Sequence, residues 1–300
     1  MSNYSALAAK GPVADAIATT WWIMFWGASA VLLLVMALLF YAMYRSNKPR
    51  LRTRAFVFGG GLVFPAVTLA ALLIYGTGVG ERITRSADSP LRVEVTGHQW
   101  WWEVRYPGEP AVVTANELHV PVGVPVELTL HSSDVIHSLW IPSLAGKVDL
   151  IPGRTNLHRF EASEAGRFGG QCAELCGAQH ALMKLTIVAQ PQAEFDAWRA
   201  ARAPPPPVDV AGARAFADAG CALCHRVAGT DADGTDGPDL THLAARATLG
   251  ADTVPNGPEH LRTWLASHGA TVKPDNTGAG YALSDPALVE ALARYLEHSR

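Results

Sequence analysis

The chain has 300 residues, room for about two domains of ordinary size. Its net charge of −3 argues against a nucleic-acid partner. The four cysteines fall in two close pairs, 172/176 and 221/224. That is sparse for a disulfide scaffold and suggests metal or cofactor chemistry.

Trp21 to Tyr44 carries no charge and exceeds the ~20 residues that a helix needs to span a bilayer. Ala55 to Gly78 is a second uncharged block, interrupted by Gly59-Gly60-Gly61 and Pro65, which membrane helices tolerate. Two buried core helices are the competing explanation, but two such lengths in succession are unusual in a core. The loop between them holds Arg45, Lys48, Arg50, Arg52 and Arg54 and no acid, so the positive-inside rule puts it in the cytoplasm. Both ends of the expected transmembrane hairpin then face outward, to the periplasmic or extracellular side. Trp21, Trp22, Trp26 and Tyr44 suit an interfacial aromatic belt. The N-terminus lacks the layout of a simple cleavable signal peptide.

From Leu91 to about Val188 short alternating runs are broken by Gly and Pro. Leu91–Val95, Glu117–Val120, Val126–Leu130 and Met183–Val188 read as strands of a sandwich or Greek-key barrel. Within Trp100-Trp101-Trp102, strand alternation would put Trp100 and Trp102 on one face and at least one ring in a core. Ala193 to Ala203 reads as a short helix, and Pro204 to Pro207 as a stiff spacer. Val210–Ala219 and Pro286–Glu297 are helical in pattern. The expected divisions are 1–90 with helices at about 21–44 and 55–78, then 91–203, the linker 204–207, and 208–300.

The densest chemistry lies at Cys172-Ala-Glu174-Leu-Cys176-Gly-Ala-Gln-His180-Ala-Leu-Met183. Two thiols, an imidazole and a thioether are soft to borderline ligands, which favour copper over hard cations. His137, in Asp134-Val-Ile-His137-Ser-Leu-Trp, is the best source of a second imidazole. A structural zinc site with Met183 as a core residue, or a surface disulfide, are the alternatives. The second motif, Cys221-x-x-Cys224-His225, is the attachment signature of a c-type haem, with a redox dithiol as its alternative.

Gly97-His-Gln-Trp100-Trp101-Trp102-Glu, the segment around His137, Pro152-Gly-Arg154 and Cys172 to Met183 resemble subunit II of cytochrome c oxidase over roughly residues 20–200. The resemblance implies a cupredoxin-like β-sandwich with a dinuclear copper A centre. Cys172 and Cys176 would bridge the coppers. His137 and Met183 would complete one, and His180 with the Glu174 carbonyl the other. The Glu174 carboxylate would share a magnesium ion with the catalytic subunit, and Trp100 would be the electron-entry residue. Residues 208–300, with Gly237-Pro-Asp-Leu240, are similar to an all-α class I cytochrome c domain. The chain is thereby identified as a multidomain membrane protein of the bacterial inner membrane, in contact with lipid. It would carry electrons from a cytochrome c-like donor to subunit I, with subunit III as a further partner. A nitric oxide reductase subunit and a membrane-anchored copper or haem carrier are the rival readings.

Two departures accompany the resemblance. No methionine follows Met183, so the family's usual distal haem ligand is missing; Gly278 stands near its expected place. His268 is the leading substitute, ahead of His242 and His260, with an open or water-ligated iron as the alternative; a histidine there would lower the haem potential. The start of the second apolar block also lacks the glutamate that many relatives use in a proton path.

Overall fold

The computed structural model describes residues 5–44, 53–202, 209–275 and 278–299. Most of the basic loop (45–52), the proline spacer, Asn276 and Thr277 lie outside the described residues. The chain forms two compact units: Met1–Ala14 with Ala87–Arg300, and Asp15–Ser86.

The second unit is helical. Helix α1 spans Pro12–Tyr44, with Asp15 in its first turn, where a carboxylate suits the helix dipole. It starts nine residues before the uncharged block, because backbone hydrogen bonding continues through turns that are not themselves apolar (Pro12 against Trp21). Helix α2 (Thr53–Phe58) runs through a π-helical turn at Gly59–Val63 into helix α3 (Phe64–Thr84). The amide of Phe64 bonds to the Gly59 carbonyl, the wider spacing of a π turn. Pro65 has no N–H to give to the preceding turn, and the glycines before it accept the adjustment. Two helices, Pro12–Tyr44 and Arg54–Thr84, are long and apolar enough to cross a membrane, and no residue of the most apolar 18-residue stretch of either is buried within the protein.

Ten strands build a sandwich of two five-stranded sheets. They are β1 (Leu91–His98), β2 (Trp101–Tyr106), β3 (Val112–Ala115), β4 (Glu117–Pro121), β5 (Val126–Ser132), β6 (His137–Trp140), β7 (Lys147–Leu150), β8 (Asn156–Phe160), β9 (Gly166–Cys172) and β10 (Lys184–Gln190). One sheet has the order β3-β2-β1-β5-β8 and the other β4-β10-β9-β6-β7. The pairs β1/β5 and β4/β10 are parallel and the rest antiparallel. Alternating apolar residues (Val93, Val95, Leu128, Leu130, Leu139, Leu185, Ile187) meet between the sheets with Trp102 and Tyr106. Trp100 lies in the turn before β2, so the expected alternation begins only at Trp101. Trp102 is the core ring, while Trp101 is also buried and stacks on His98 at 4.1 Å.

Residues before α1 return to this sandwich: the Lys10 amide donates to the Ser143 carbonyl at 2.7 Å, and the Ser163 amide to the Lys10 carbonyl at 2.8 Å. Helix α4 (Gln192–Arg202) follows the sandwich and stacks Trp198 on His119. The C-terminal region holds α5 (Val210–Asp218), α6 (Pro258–Ser267) and α7 (Pro286–Glu297). Asp209 and Asp285 cap α5 and α7 through the amides of Ala211 and Ala287. Helices α5 and α7 cross at Gly212, where a Cβ would fall 2.5 Å from the Tyr295 ring. The region's regular structure is otherwise short 3-10 turns, an isolated bridge between Arg226 and Asp233, and a small ladder, β11 (Thr248–Leu249) with β12 (Val254–Pro255).

Candidate functional site

One end of the second sheet gathers the sulfur and imidazole groups. Cys172 is the last residue of β9 and His137 the first of β6. Leu139 pairs with Cys172, and the Ala173 amide donates to the Ser138 carbonyl at 2.8 Å. The loop after Cys172 turns back through Gly177, at φ +118, to a 3-10 turn at His180–Leu182. Met183 then leads into β10, its carbonyl accepting from the Cys172 amide at 2.9 Å. Two strand ends and one tight loop thus fix five side chains.

The sulfurs of Cys172 and Cys176 are 3.7 Å apart, and both cysteines are free and buried. His137 Nδ1 is 4.0 Å from the Cys172 sulfur, His180 Nδ1 is 3.7 Å from the Cys176 sulfur, and the Met183 sulfur is 3.9 Å from it. The Glu174 carbonyl lies 3.2 Å from the Cys172 sulfur. Ligand atoms of His137, Cys172 and Cys176 all fall within 4.8 Å of one another. The sequence-predicted donors therefore converge around one small space, and their softness fits copper. The hydrogen bond from Cys176 holds the Cys172 thiol well below its ordinary pKa, while the adjacent Cys172 sulfur pushes Cys176 up. Two thiolates this close repel each other, so a cation between them is what lets both ionise.

Several supporting residues were not singled out in the sequence. Asp134 accepts from His137 Nε2 at 2.8 Å, leaving Nδ1 to face the sulfurs. It also accepts from the amides of Gln99 and Val135, both at 2.6 Å. Burial pushes the Asp134 carboxyl up, but the hydrogen bonds from His137, Val135 and Gln99 outweigh it and hold it low. Gly97 lies directly under the His137 ring, and a Cβ there would be 2.8 Å from Cδ2. Gln99 Nε2 and Trp100 Nε1 both donate to the Cys176 carbonyl, at 2.7 and 3.0 Å. The signal for these residues was present in the stretch Gly97–Trp102 and in Asp134, three residues before His137.

The second site is built at the start of the C-terminal region. A 3-10 turn at Cys221–Leu223 brings Cys221, Cys224 and His225 together, the amides of Cys224 and His225 both bonding to the Cys221 carbonyl. Both cysteines are free and half-buried. His225 Nδ1 donates to the Pro238 carbonyl at 2.8 Å, which leaves Nε2 without a proton and able to act as a ligand. Burial lowers the His225 pKa and favours this neutral form. Gly237 lets its backbone lie against the ring, since a Cβ would come within 2.5 Å of Cε1. Two thiols and a fixed neutral imidazole on one turn fit covalent haem attachment. Of the other histidines in this region, His242 bonds to the Arg202 carbonyl at 3.1 Å and His260 is exposed on α6.

The two sites meet in one unit. Lys273, from the haem-motif region, is buried and donates through Nζ to the Trp100 carbonyl at 2.9 Å. The Ala247 amide donates to Glu117 of β4 at 2.7 Å. Burial pushes the Glu117 carboxyl up, but His119, Ala247 and Arg167 outweigh it and hold it low.

Residues 108–190 match the family described as the periplasmic domain of cytochrome c oxidase subunit II, and residues 210–300 match cytochrome c. The cytochrome c oxidase subunit 2 of Alkalihalophilus pseudofirmus is 37% identical over 214 residues, covering 70% of this chain and 61% of that protein. The Bacillus subtilis protein of the same name is 33% identical over 254 residues, covering 79% of this chain and 69% of its own length. The periplasmic domain of subunit II of cytochrome oxidase from Bradyrhizobium japonicum is 34% identical, with a TM-score of 0.37 over 39% of this chain and 95% of that domain. Two apolar helices, a cupredoxin-like β-sandwich and a helical cytochrome c domain define a membrane-anchored redox protein. The chain belongs to the cytochrome c oxidase subunit 2 family. It spans 61% of the length of the Alkalihalophilus relative and 38% of the Synechocystis one.

Proposed function

We propose that this chain is the electron-entry subunit of a terminal cytochrome c oxidase. It would accept electrons from a cytochrome c-like donor in its haem domain and deliver them through its copper domain to subunit I, which reduces oxygen; subunit III is a further partner. The observation that carries the reading is the convergence of six predicted donors, His137, Cys172, Glu174, Cys176, His180 and Met183, at one sheet end. Cys172 and Cys176 would bridge a copper A pair. His137 with Met183, and His180 with the Glu174 carbonyl, would complete it, and the Glu174 carboxylate would hold a magnesium ion shared with subunit I. Cys221 and Cys224 would bind haem c covalently, with His225 as an axial ligand. When bound, both groups supply one-electron carriers with no bond-making of their own.

The chain's own residues set the conditions for that transfer. Asp134 fixes the His137 tautomer and ring direction. The strand ends and the Gly177 turn hold the sulfurs in place, so little rearrangement need accompany a change of charge. Trp100 bonds to the Cys176 carbonyl on one side and to Lys273 on the other, which supports a role between the two centres. Burial of the copper-site sulfurs excludes water from them.

We divide the chain into 1–90, 91–203, a linker at 204–207, and 208–300. Both redox domains are assigned to the periplasmic side of the bacterial inner membrane. The test is rapid mixing of the purified oxidase complex with reduced cytochrome c. The haem band should change first and the copper band second, and Trp100→Leu should slow the second step while sparing the first. Reduction of copper before haem contradicts this route.

A further inference from the structure

We propose that His268 is the second axial ligand of the haem, bound on the face opposite His225. The inference rests on the proposed haem attachment and names the remaining iron ligand of that site.

The first observation is spacing. The ring centres of His225 and His268 are 6.3 Å apart. Two imidazoles bound to one metal from opposite sides each have a metal–nitrogen bond of about 2.0 Å, and with the half-width of each ring their centres fall about 6 Å apart. Their planes are inclined at 40°, which suits two rings that share the metal–nitrogen axis and are rotated about it. His225 has its Nδ1 tied to Pro238, so the nitrogen left for iron is fixed independently of His268.

The second observation is the backbone. Helix α6 ends on His268 at φ 42, ψ 44, followed by Gly269 at φ 77. A left-handed conformation costs a non-glycine residue about 1–2 kcal/mol. Glycine is the usual residue for such a cap, and an uncommon conformation held by a functional type of side chain points to a role for that side chain. The turn is held by Trp264, whose ring packs on Gly269 so closely that a Cβ there would lie 2.6 Å from it. No methionine follows Met183. Tyr281, whose ring centre is 6.3 Å from that of His268, is a competing donor, but it is exposed.

The experiment uses the full chain with its haem attached, followed by optical and paramagnetic-resonance spectra. The wild type should be low-spin. His268→Ala should lose the low-spin signal, and added imidazole should restore it. His268→Met should keep a low-spin haem, add a sulfur-to-iron absorption band and raise the potential. Tyr281→Phe should leave the spectrum unchanged. A low-spin spectrum that survives His268→Ala, or disappears in Tyr281→Phe, overturns the assignment of His268. A chain with no covalently attached haem overturns the haem reading and this ligand with it.

Discussion

Asp134 shows how a residue outside a ligand set controls it. Three hydrogen bonds converge on its carboxylate, from His137, Gln99 and Val135, so it ties the strand carrying one imidazole to the turn carrying Trp100. Asp134→Ala frees the His137 ring to rotate, and losses of this kind weaken metal affinity by about 10- to 100-fold. Copper titration of the purified chain under a competing chelator checks this. His158 makes a separate point about stability. It is buried on β8, and burial pulls its pKa down from 6.5 to about 4. The ring stays neutral in the fold and takes up a proton on unfolding between those values. Its contribution is therefore complete above pH 6.5 and lost as pH falls towards 4, a change on the order of 3 kcal/mol. His158→Leu should flatten the loss of stability over that window in denaturant melts at stepped pH.

At the scale of elements, the ligands are presented by strand ends and a loop pinned between β6, β9 and β10. The spacing of Cys172, Cys176, His180 and Met183 was legible because all four lie within twelve consecutive residues, from the end of β9 through the loop and its 3-10 turn to the start of β10. His137 was legible only through its motif, since its approach depends on the pairing of β6 with β9. Asp134, Gln99 and Gly97 were not recognised, because their roles depend on contacts across the site that residue spacing does not reveal. Lys273 was out of reach for the same reason: its partner, Trp100, is more than 170 residues away. That bond joins the stretch after His268 to the turn beside Cys176. Losing a hydrogen bond to a charged group costs about 1.5–3 kcal/mol, so Lys273→Met should reduce the joined population about 10-fold or more. Photoreduction of the haem, with copper absorption followed in time, should show slower transfer while both static spectra stay unchanged.

The whole molecule is an anchor of two apolar helices and a unit in which a cupredoxin-like sandwich and a cytochrome c domain touch. Apolar run length made the anchor legible, although α1 and α3 extend past the uncharged blocks because helical hydrogen bonding does not stop where hydrophobicity does. Strand alternation marked four of the ten strands. The others are short or contain Gly, and Trp100 misled the alternation because it lies in a turn. Contact between the two redox domains had no local signature, as it rests on single bonds such as Glu117 to Ala247. The central claim is that Cys172 and Cys176 together hold two coppers that share one electron. Paramagnetic resonance of the copper-loaded chain measures this directly. The account predicts a hyperfine pattern from one electron spread equally over two copper nuclei, lost in Cys176→Ser; a single-copper spectrum from the wild type would contradict it.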